Sequence, residues 1–362
     1  MIRWFTNVAA PYRIPLWERI EEQHPLRVHL LETSASLDRE GRRPDDWKAP
    51  QGSRYTWVPN VTIRRGERSF YVARSAPVVP RGTSAVLIGA WESPVYWQVL
   101  LEAKVRRIRT VGFYESTLQS NRHRSGPVAA ARSRFYRSLD AVVVPGLSAR
   151  RALESFGVES SRIHQGFNAV DVTAFHSAAR SRPEPHGPGH RFVFVGQLIQ
   201  RKNPLLLLRA FAKSRLSDDT LCYVGTGEQM QVLRNEAVGL GLAEVVEFEG
   251  ALSNQALARR LHHFDTLVLP SEEEVWGLVV NEALAAGLGV VVSENAGVAA
   301  SVAEMTRVFV TSPTETGIED ALVKARKAGV GLIETPEILA HTPDRFADVF
   351  TRALVPSGGM SS

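Results

Sequence analysis

Two carboxylates and a glycine set close together offer the most chemistry in this 362-residue chain. In residues 271–287, SEEEVWGLVVNEALAAG, Glu274 falls in a loop, Gly277 stands where a helix should begin, and Glu282 lies one turn inside it. Residues 278–286 are rich in helix formers and Gly287 suits a C-terminal stop. A helix starting near Gly277 leaves the amides of Gly277, Leu278 and Val279 without intrahelical partners, at the positive end of the macrodipole. Phosphate oxygens fit there, and Gly277 has no side chain to hold them off the backbone. The helical neighbours of Glu282 three and four positions away are Leu278, Val279, Ala285 and Ala286, so no Lys or Arg pairs with it locally. Burying such a carboxylate is costly unless something hydrogen-bonds it, and ligand hydroxyls would do so. The alternative is a solvated surface carboxylate beside an acidic turn. The functional arrangement suits a sugar diphosphate.

The elements that must position these residues are legible as alternating runs. In the C-terminal half, strand-like segments at 191–196, 221–225, 245–248, 266–269, 289–293 and 307–310 are separated by helical patterns. That alternation predicts a parallel sheet covered on both faces. The N-terminal half repeats it less regularly at 2–6, 27–31, 55–58, 85–89, 110–114 and 141–144. The expectation is an α/β chain with an N-terminal Rossmann-like domain over 1–177, an exposed Pro-bearing linker over 178–190, and a second Rossmann-like domain over 191–340. A terminal helix is expected over 341–355, opened by Thr342 as N-cap and Pro343, and residues 356–362 are expected to be disordered.

Composition narrows the class. Cys222, the only cysteine, excludes an internal disulfide framework; it falls in an apolar strand pattern and is expected to be a core thiol. No apolar run reaches eighteen residues and the first residues lead straight into a strand, so a cytoplasmic protein is expected. The net charge of +5 hides an asymmetry: residues 1–190 hold 28 Lys/Arg against 17 Asp/Glu, and the remainder is net acidic. Six of the seven Trp also lie in that basic half. Arginines cluster at 106, 107 and 109 and at 122, 124, 132, 134 and 137. They form either a solvated helical face or a surface for an anionic partner, such as a membrane leaflet or a phosphate-bearing acceptor.

The segment from Glu274 to Glu282 resembles the Glu-x7-Glu signature of retaining family-4 glycosyltransferases of the GT-B fold, the glycosyl transferases group 1. The likeness continues through FVGQLIQRKN (194–203), VGTGE (224–228), FEG (248–250) and VLPS (268–271), covering the C-terminal half. The N-terminal half matches loosely, at APYRIPLW (10–17) and FNAVD (167–171). The resemblance implies two doubly wound domains facing across a cleft, with the last helix crossing back to the N-terminal one. It implies a nucleotide-sugar donor, with UDP favoured, and an acceptor hydroxyl, with lipid-linked acceptors among the candidates. Glu282 would take the ribose hydroxyls and Glu274 those of the transferred sugar. Gly196, Gln197, Gly225, Gly227, Leu252 and the amides of Gly277, Leu278 and Val279 would complete the donor site. Lys202 and Arg201 would neutralise the departing diphosphate in place of a metal, and no other cofactor is implied. Asp45-Asp46 and Asp218-Asp219 lie outside the matched motifs and are taken as turn residues, so no metal ligand is expected.

Taken alone, Gly225-Thr226-Gly227 is also compatible with a tight strand-to-helix turn, and Met230 stands where a dinucleotide fingerprint needs its third glycine. The chain departs from the family at three places. Gln197 follows Gly196 where Arg is frequent, Asn7-Val8-Ala9-Ala10-Pro11 replaces paired glycines, and Tyr114-Glu115-Ser116 replaces a common His. Tyr12, Arg13, Glu115 and His123 are the candidate acceptor residues, with a solvated strand-end carboxylate as the alternative for Glu115. A nucleotide-sugar-binding protein without turnover is the competing reading that Gln197 suggests. A nucleic-acid binder rests on charge alone, with no binding motif, and is not expected.

Overall fold

The computed structural model of the chain describes residues 1–32, 52–65, 68–121, 123–179 and 189–355. They form two compact units, Met1–Phe167 with Pro343–Ser362, and Asn168–Thr342. The first boundary therefore falls ten residues before the expected end at 177, and the helix Val172–Ala179 belongs to unit 2. Most of the expected linker (180–188) and the tail (356–362) lie outside the described residues, as do Asp45, Asp46, Trp47 and Arg122.

Unit 1 is built on seven parallel strands: β1 (Ile2–Thr6), β2 (Leu26–Leu30), β3 (Tyr55–Trp57), β6 (Ala85–Ile88), β7 (Arg109–Phe113), β8 (Ala141–Val144) and β9 (Ile163–Gln165). Their order across the sheet is β3-β2-β1-β6-β7-β8-β9. Strands β6 and β8, AVLI and AVVV, are buried at every residue, as central strands covered on both faces must be. A separate antiparallel ribbon, β4 (Asn60–Arg65) and β5 (Arg68–Ala73), and the short β9 were not expected from the sequence.

The terminal helix Pro343–Leu354 carries Pro at its first position, Asp344 in its first turn and Arg352 in its last, each favourable to the helix dipole. It completes the core of unit 1. Phe350 lies 5.0 Å from the Trp4 ring and 5.2 Å from Phe113, and the Arg109 guanidinium donates to the Ala353 carbonyl at 2.7 Å. Trp4 and Trp17 are fully buried, so those two aromatics of the basic half are core.

Unit 2 contains β10 (Arg191–Val195), β11 (Thr220–Val224), β12 (Val246–Gly250), β13 (Thr266–Leu269), β14 (Gly289–Ser293) and β15 (Val308–Thr311), ordered β12-β11-β10-β13-β14-β15 and parallel throughout. The order reverses between β10 and β13, and ligands in open α/β sheets bind beyond the carboxyl ends of strands at such a point. At the opposite, amino ends lies a buried polar network. Asp265, with no exposure, accepts from the Arg191 amide and guanidinium, and Asp219 accepts from the His190 amide and Arg326. Asp219 also accepts from the Leu216 amide, so it is a buried hub as well as a turn residue. Burial pushes the His190 imidazole down to about 4 despite the two nearby aspartates, and its Nε2 is 2.8 Å from Thr266 Oγ1.

Candidate active site

The loops after β10 and β13, the two strands flanking the reversal, carry Lys202 and Glu274. A short 3-10 turn, Gln200–Lys202, is stopped by Asn203 in the left-handed region at φ 54°, whose side-chain amide donates to the Pro270 carbonyl at 3.1 Å. Two further hydrogen bonds zip this turn to the second loop: Glu272 N–H to the Arg201 carbonyl at 2.9 Å, and Arg201 Nη1 to the Glu273 carbonyl at 3.2 Å. The consequence is an ion pair between Lys202 Nζ and Glu274 Oε2, both side chains only 14% exposed. Arg201 itself is exposed and spends one guanidinium nitrogen on the loop.

The helix begins at Leu278 and ends at Ala285, one residue short of the expected end. Gly277 precedes it in the left-handed region at φ 99°, where a Cβ would come within 2.8 Å of Leu269 Cδ2 and 3.4 Å of Glu274 Cγ. Only glycine combines that backbone with that proximity. Among the described residues, the amides of Gly277, Leu278 and Val279 donate to no protein acceptor. At the far end Gly287 N–H bonds to the Leu284 carbonyl and Leu288 N–H to Ala283, closing a Schellman motif.

Glu282 is half-buried and makes no side-chain hydrogen bond or ion pair among the described residues. Desolvation pushes its carboxyl up to about 7. Its surroundings are those of a desolvated carboxyl, not of a solvated surface acid.

Sequence reasoning missed what holds this helix and loop together. Asn281, fully buried, accepts from Trp276 Nε1 at 3.2 Å and donates to the Asn168 carbonyl at 2.6 Å. One amide thus ties the Glu274–Gly277 loop to the first residue of unit 2. The remaining signal in the sequence is slight: Asn is a weak helix former placed mid-helix.

The other donor-site candidates lie around the β10 and β11 ends. Gly225 and Gly227 are needed for close approach, but to the neighbouring loop. A Cβ on Gly225 would sit 1.9 Å from the Gly196 carbonyl oxygen, and one on Gly227 2.4 Å from that of Leu198. Gln197 is exposed, and Leu252 is half-buried in the loop ahead of the Ser253 N-cap.

In unit 1, Arg13 and Glu115 meet at the carboxyl ends of β1 and β7, Nη2 to Oε2 at 2.5 Å, while Arg13 Nη1 reaches Thr6 Oγ1 at 3.3 Å. The half-buried Tyr12 ring lies 5.7 Å from the same guanidinium. Glu115 is therefore a paired carboxylate and not a solvated strand end. His123 is exposed, and among the described residues its carbonyl alone is engaged, accepting from Arg132 at 2.9 Å. Much of the arginine cluster is structural: Arg132 is buried over Phe156, and Arg106 and Arg109 donate to backbone carbonyls.

Among the described residues, Cys222, Glu247 and Glu249 are the one group of metal-capable side chains in mutual reach. Arg260 already pairs with Glu249, and burial pushes the Cys222 thiol up to about 12, as befits a core thiol.

The profile of the glycosyl transferases group 1 family matches residues 179–328. Over 181 residues the chain is 32% identical to glycogen synthase of Mycobacterium tuberculosis, a match covering 49% of this chain and 43% of that protein. Over 169 residues it is 31% identical to D-inositol 3-phosphate glycosyltransferase of Geodermatophilus obscurus, covering 42% and 38%. The matched region thus spans less than half the length of either relative. Among solved structures, the lipopolysaccharide outer core galactosyltransferase WaaB in its apo form superposes with a TM-score of 0.72 at 13% identity, covering 98% of each chain. Anabaena Alr3699/HepE in complex with UDP superposes at 0.69 and 16% identity, covering 98% of this chain and 99% of that one. No helix among the described residues is long and apolar enough to cross a membrane. Residues 179–328 are thus similar to the glycosyl transferases group 1 family, and the fold of the chain is GT-B.

Proposed function

We propose that the chain is a retaining glycosyltransferase that takes its sugar from a UDP-sugar, transfers it to an acceptor hydroxyl, and requires no metal ion. The observation that carries this reading is the Lys202–Glu274 pair set against Gly277 and the open amides that follow it. An ammonium has three donors, so with one on Glu274 Oε2 two remain for phosphate oxygens. Glu274 keeps Oε1 for a sugar hydroxyl. Departure of the diphosphate leaves negative charge on its oxygens, and Lys202, Arg201 and the helix amides supply the opposing field. Glu282 accepts from the ribose hydroxyls. With retention, the leaving phosphate takes the acceptor's proton, and the protein contributes position and electrostatics.

The acceptor side of the proposal rests on the Arg13–Glu115 pair, with Tyr12 beside it. A lipid-linked acceptor suits the basic charge of the N-terminal half and supports work at the cytoplasmic face of a membrane, in the synthesis of a surface polysaccharide, a glycolipid or a glycosylated metabolite. That Alr3699/HepE of the same fold was solved with UDP supports a uridine donor.

The test is a thermal-shift screen against UDP, GDP, ADP and their sugar conjugates in the presence of EDTA, since a ligand of the folded state raises the melting temperature. Selective stabilisation by uridine compounds is expected. A response that appears only after divalent cation is restored would remove the metal-free scheme, and a response to another base would remove the UDP assignment.

A further inference from the structure

The ribbon β4–β5 belongs to neither parallel sheet, and its two faces differ. On one face Tyr71 is 4% exposed and packs with Ala73 into the core of unit 1. On the other, alternation brings Val61 opposite Val72 and Ile63 opposite Phe70. Val61 and Ile63 remain 49% and 52% exposed, and their partners are half-buried. The same face ends in Arg65 directly opposite Arg68. Like charges so placed repel, and neither guanidinium has an ion pair or hydrogen bond among the described residues. Between residues 52 and 91 the sequence contains six arginines and a single acid, Glu67, which lies outside the described residues.

A surface combining an apolar strip with an unneutralised arginine pair fits one kind of partner. Nucleic acid would take the arginines and leave Val61 and Ile63 in water. A bilayer interface takes both, because the acyl boundary accepts the apolar side chains while phosphates of anionic headgroups accept guanidinium donors. We propose that the outward face of β4–β5 is a docking surface for an anionic lipid bilayer, with Val61 and Ile63 entering the headgroup–acyl boundary and Arg65 and Arg68 pairing with lipid phosphates. The assignment needs no glycosyl transfer, so it stands or falls separately from the donor site.

The test is sedimentation of the full chain with vesicles of mixed phosphatidylglycerol and phosphatidylcholine, and with phosphatidylcholine alone, at about 0.1 M salt, where charge attraction acts over about 10 Å. Binding is expected only to the anionic vesicles. Each arginine near such a surface contributes roughly fivefold, so Arg65→Glu with Arg68→Glu is expected to weaken binding by more than tenfold. Val61→Ser with Ile63→Ser is expected to weaken it by roughly tenfold through lost apolar burial. All four positions are exposed, and unchanged melting temperatures will establish that the variants fold. Arg134→Glu with Arg137→Glu, in the groove between the helices Pro94–Val105 and Gly126–Ser138, is the basic-patch control and is expected to bind as the parent does. Four results would overturn the proposal: equal binding to both vesicle types; loss of binding in the groove variant alone; serine substitutions without effect, which would make the ribbon a general polyanion site; or a dimer that the serine substitutions convert to monomer, which would make the strip a contact between copies.

Discussion

If Glu282 receives the ribose hydroxyls, donor binding must be linked to a proton, and the size of the link can be worked out. Free in the folded chain, its carboxyl stands at about 7 against an ordinary 4.5, raised by desolvation. Two hydroxyl donors stabilise the carboxylate and return the value towards its ordinary range when the donor binds. Only the ionised form binds well, so UDP-glucose binding at pH 6 should be about tenfold weaker than at pH 8, with about half a proton released per donor bound at pH 7. UDP-glucose suits the experiment because its diphosphate does not titrate in this range. Calorimetry in buffers of different ionisation enthalpy reads both the affinity and the proton count. Glu282→Gln should bind more weakly at pH 8, with no slope between pH 6 and 8. A flat wild-type profile, or an equal slope in the Gln variant, would refute the assignment. The linkage to folding has the opposite sign: because the folded value is raised, the stability Glu282 contributes is full below about pH 4.5 and is lost as pH rises through about 7 in the ligand-free chain.

Other consequences follow from the same geometry. Lys202→Ala should lower turnover by about 100-fold or more while leaving nucleotide affinity within severalfold, a split that steady-state kinetics would show; unchanged kcat would contradict the role given to its charge. Asn281→Leu strands Trp276 Nε1 and the Asn168 carbonyl, and should cost about 1–3 kcal/mol for each buried group left unpaired, measured by denaturant unfolding. His29 and His190 are both held by burial at about 4, so the stability that depends on their neutral forms is present above about pH 6.5 and lost as pH falls towards 4. Urea unfolding at pH 7 and pH 4.5 should show the loss, and His190→Gln should reduce it.

The twelve strands of the alternating pattern lie within a residue or two of where the sequence pattern places them, most plainly AVLI, AVVV and TLVL, which are buried at every residue and read as apolar runs. The ribbon did not read as structure because Asn60–Arg65 and Arg68–Ala73 mix arginine with apolar residues on an exposed face. In the site, Glu274, Gly277 and Glu282 were legible because their relation is local, fixed by helical spacing. Lys202 and Glu274 could each be named, but not as partners, since 72 residues separate them. The Asn281–Asn168 bond spans 113 residues and involves a backbone carbonyl, which leaves no trace in side-chain pattern. Gly225 and Gly227 could be named as donor-site or turn residues, yet only the fold could say that the atoms pressed against them belong to Gly196 and Leu198.

The helix Pro343–Leu354 makes the order of synthesis differ from the order of completion. Trp4 and Phe113 emerge early from the ribosome, but the Phe350 ring that covers both comes after the whole of unit 2. At about 5–20 residues per second, the Met1–Phe167 part of unit 1 waits on the order of ten seconds or more for its last core element. During that interval a sheet with strands of AVLI and AVVV stands with aromatic surface uncovered beside a growing chain. Unit 2, contiguous from Asn168 to Thr342, has no such debt and can finish first. A nascent chain arrested before residue 343 should therefore recruit chaperones through its N-terminal half, and release once the last helix is made.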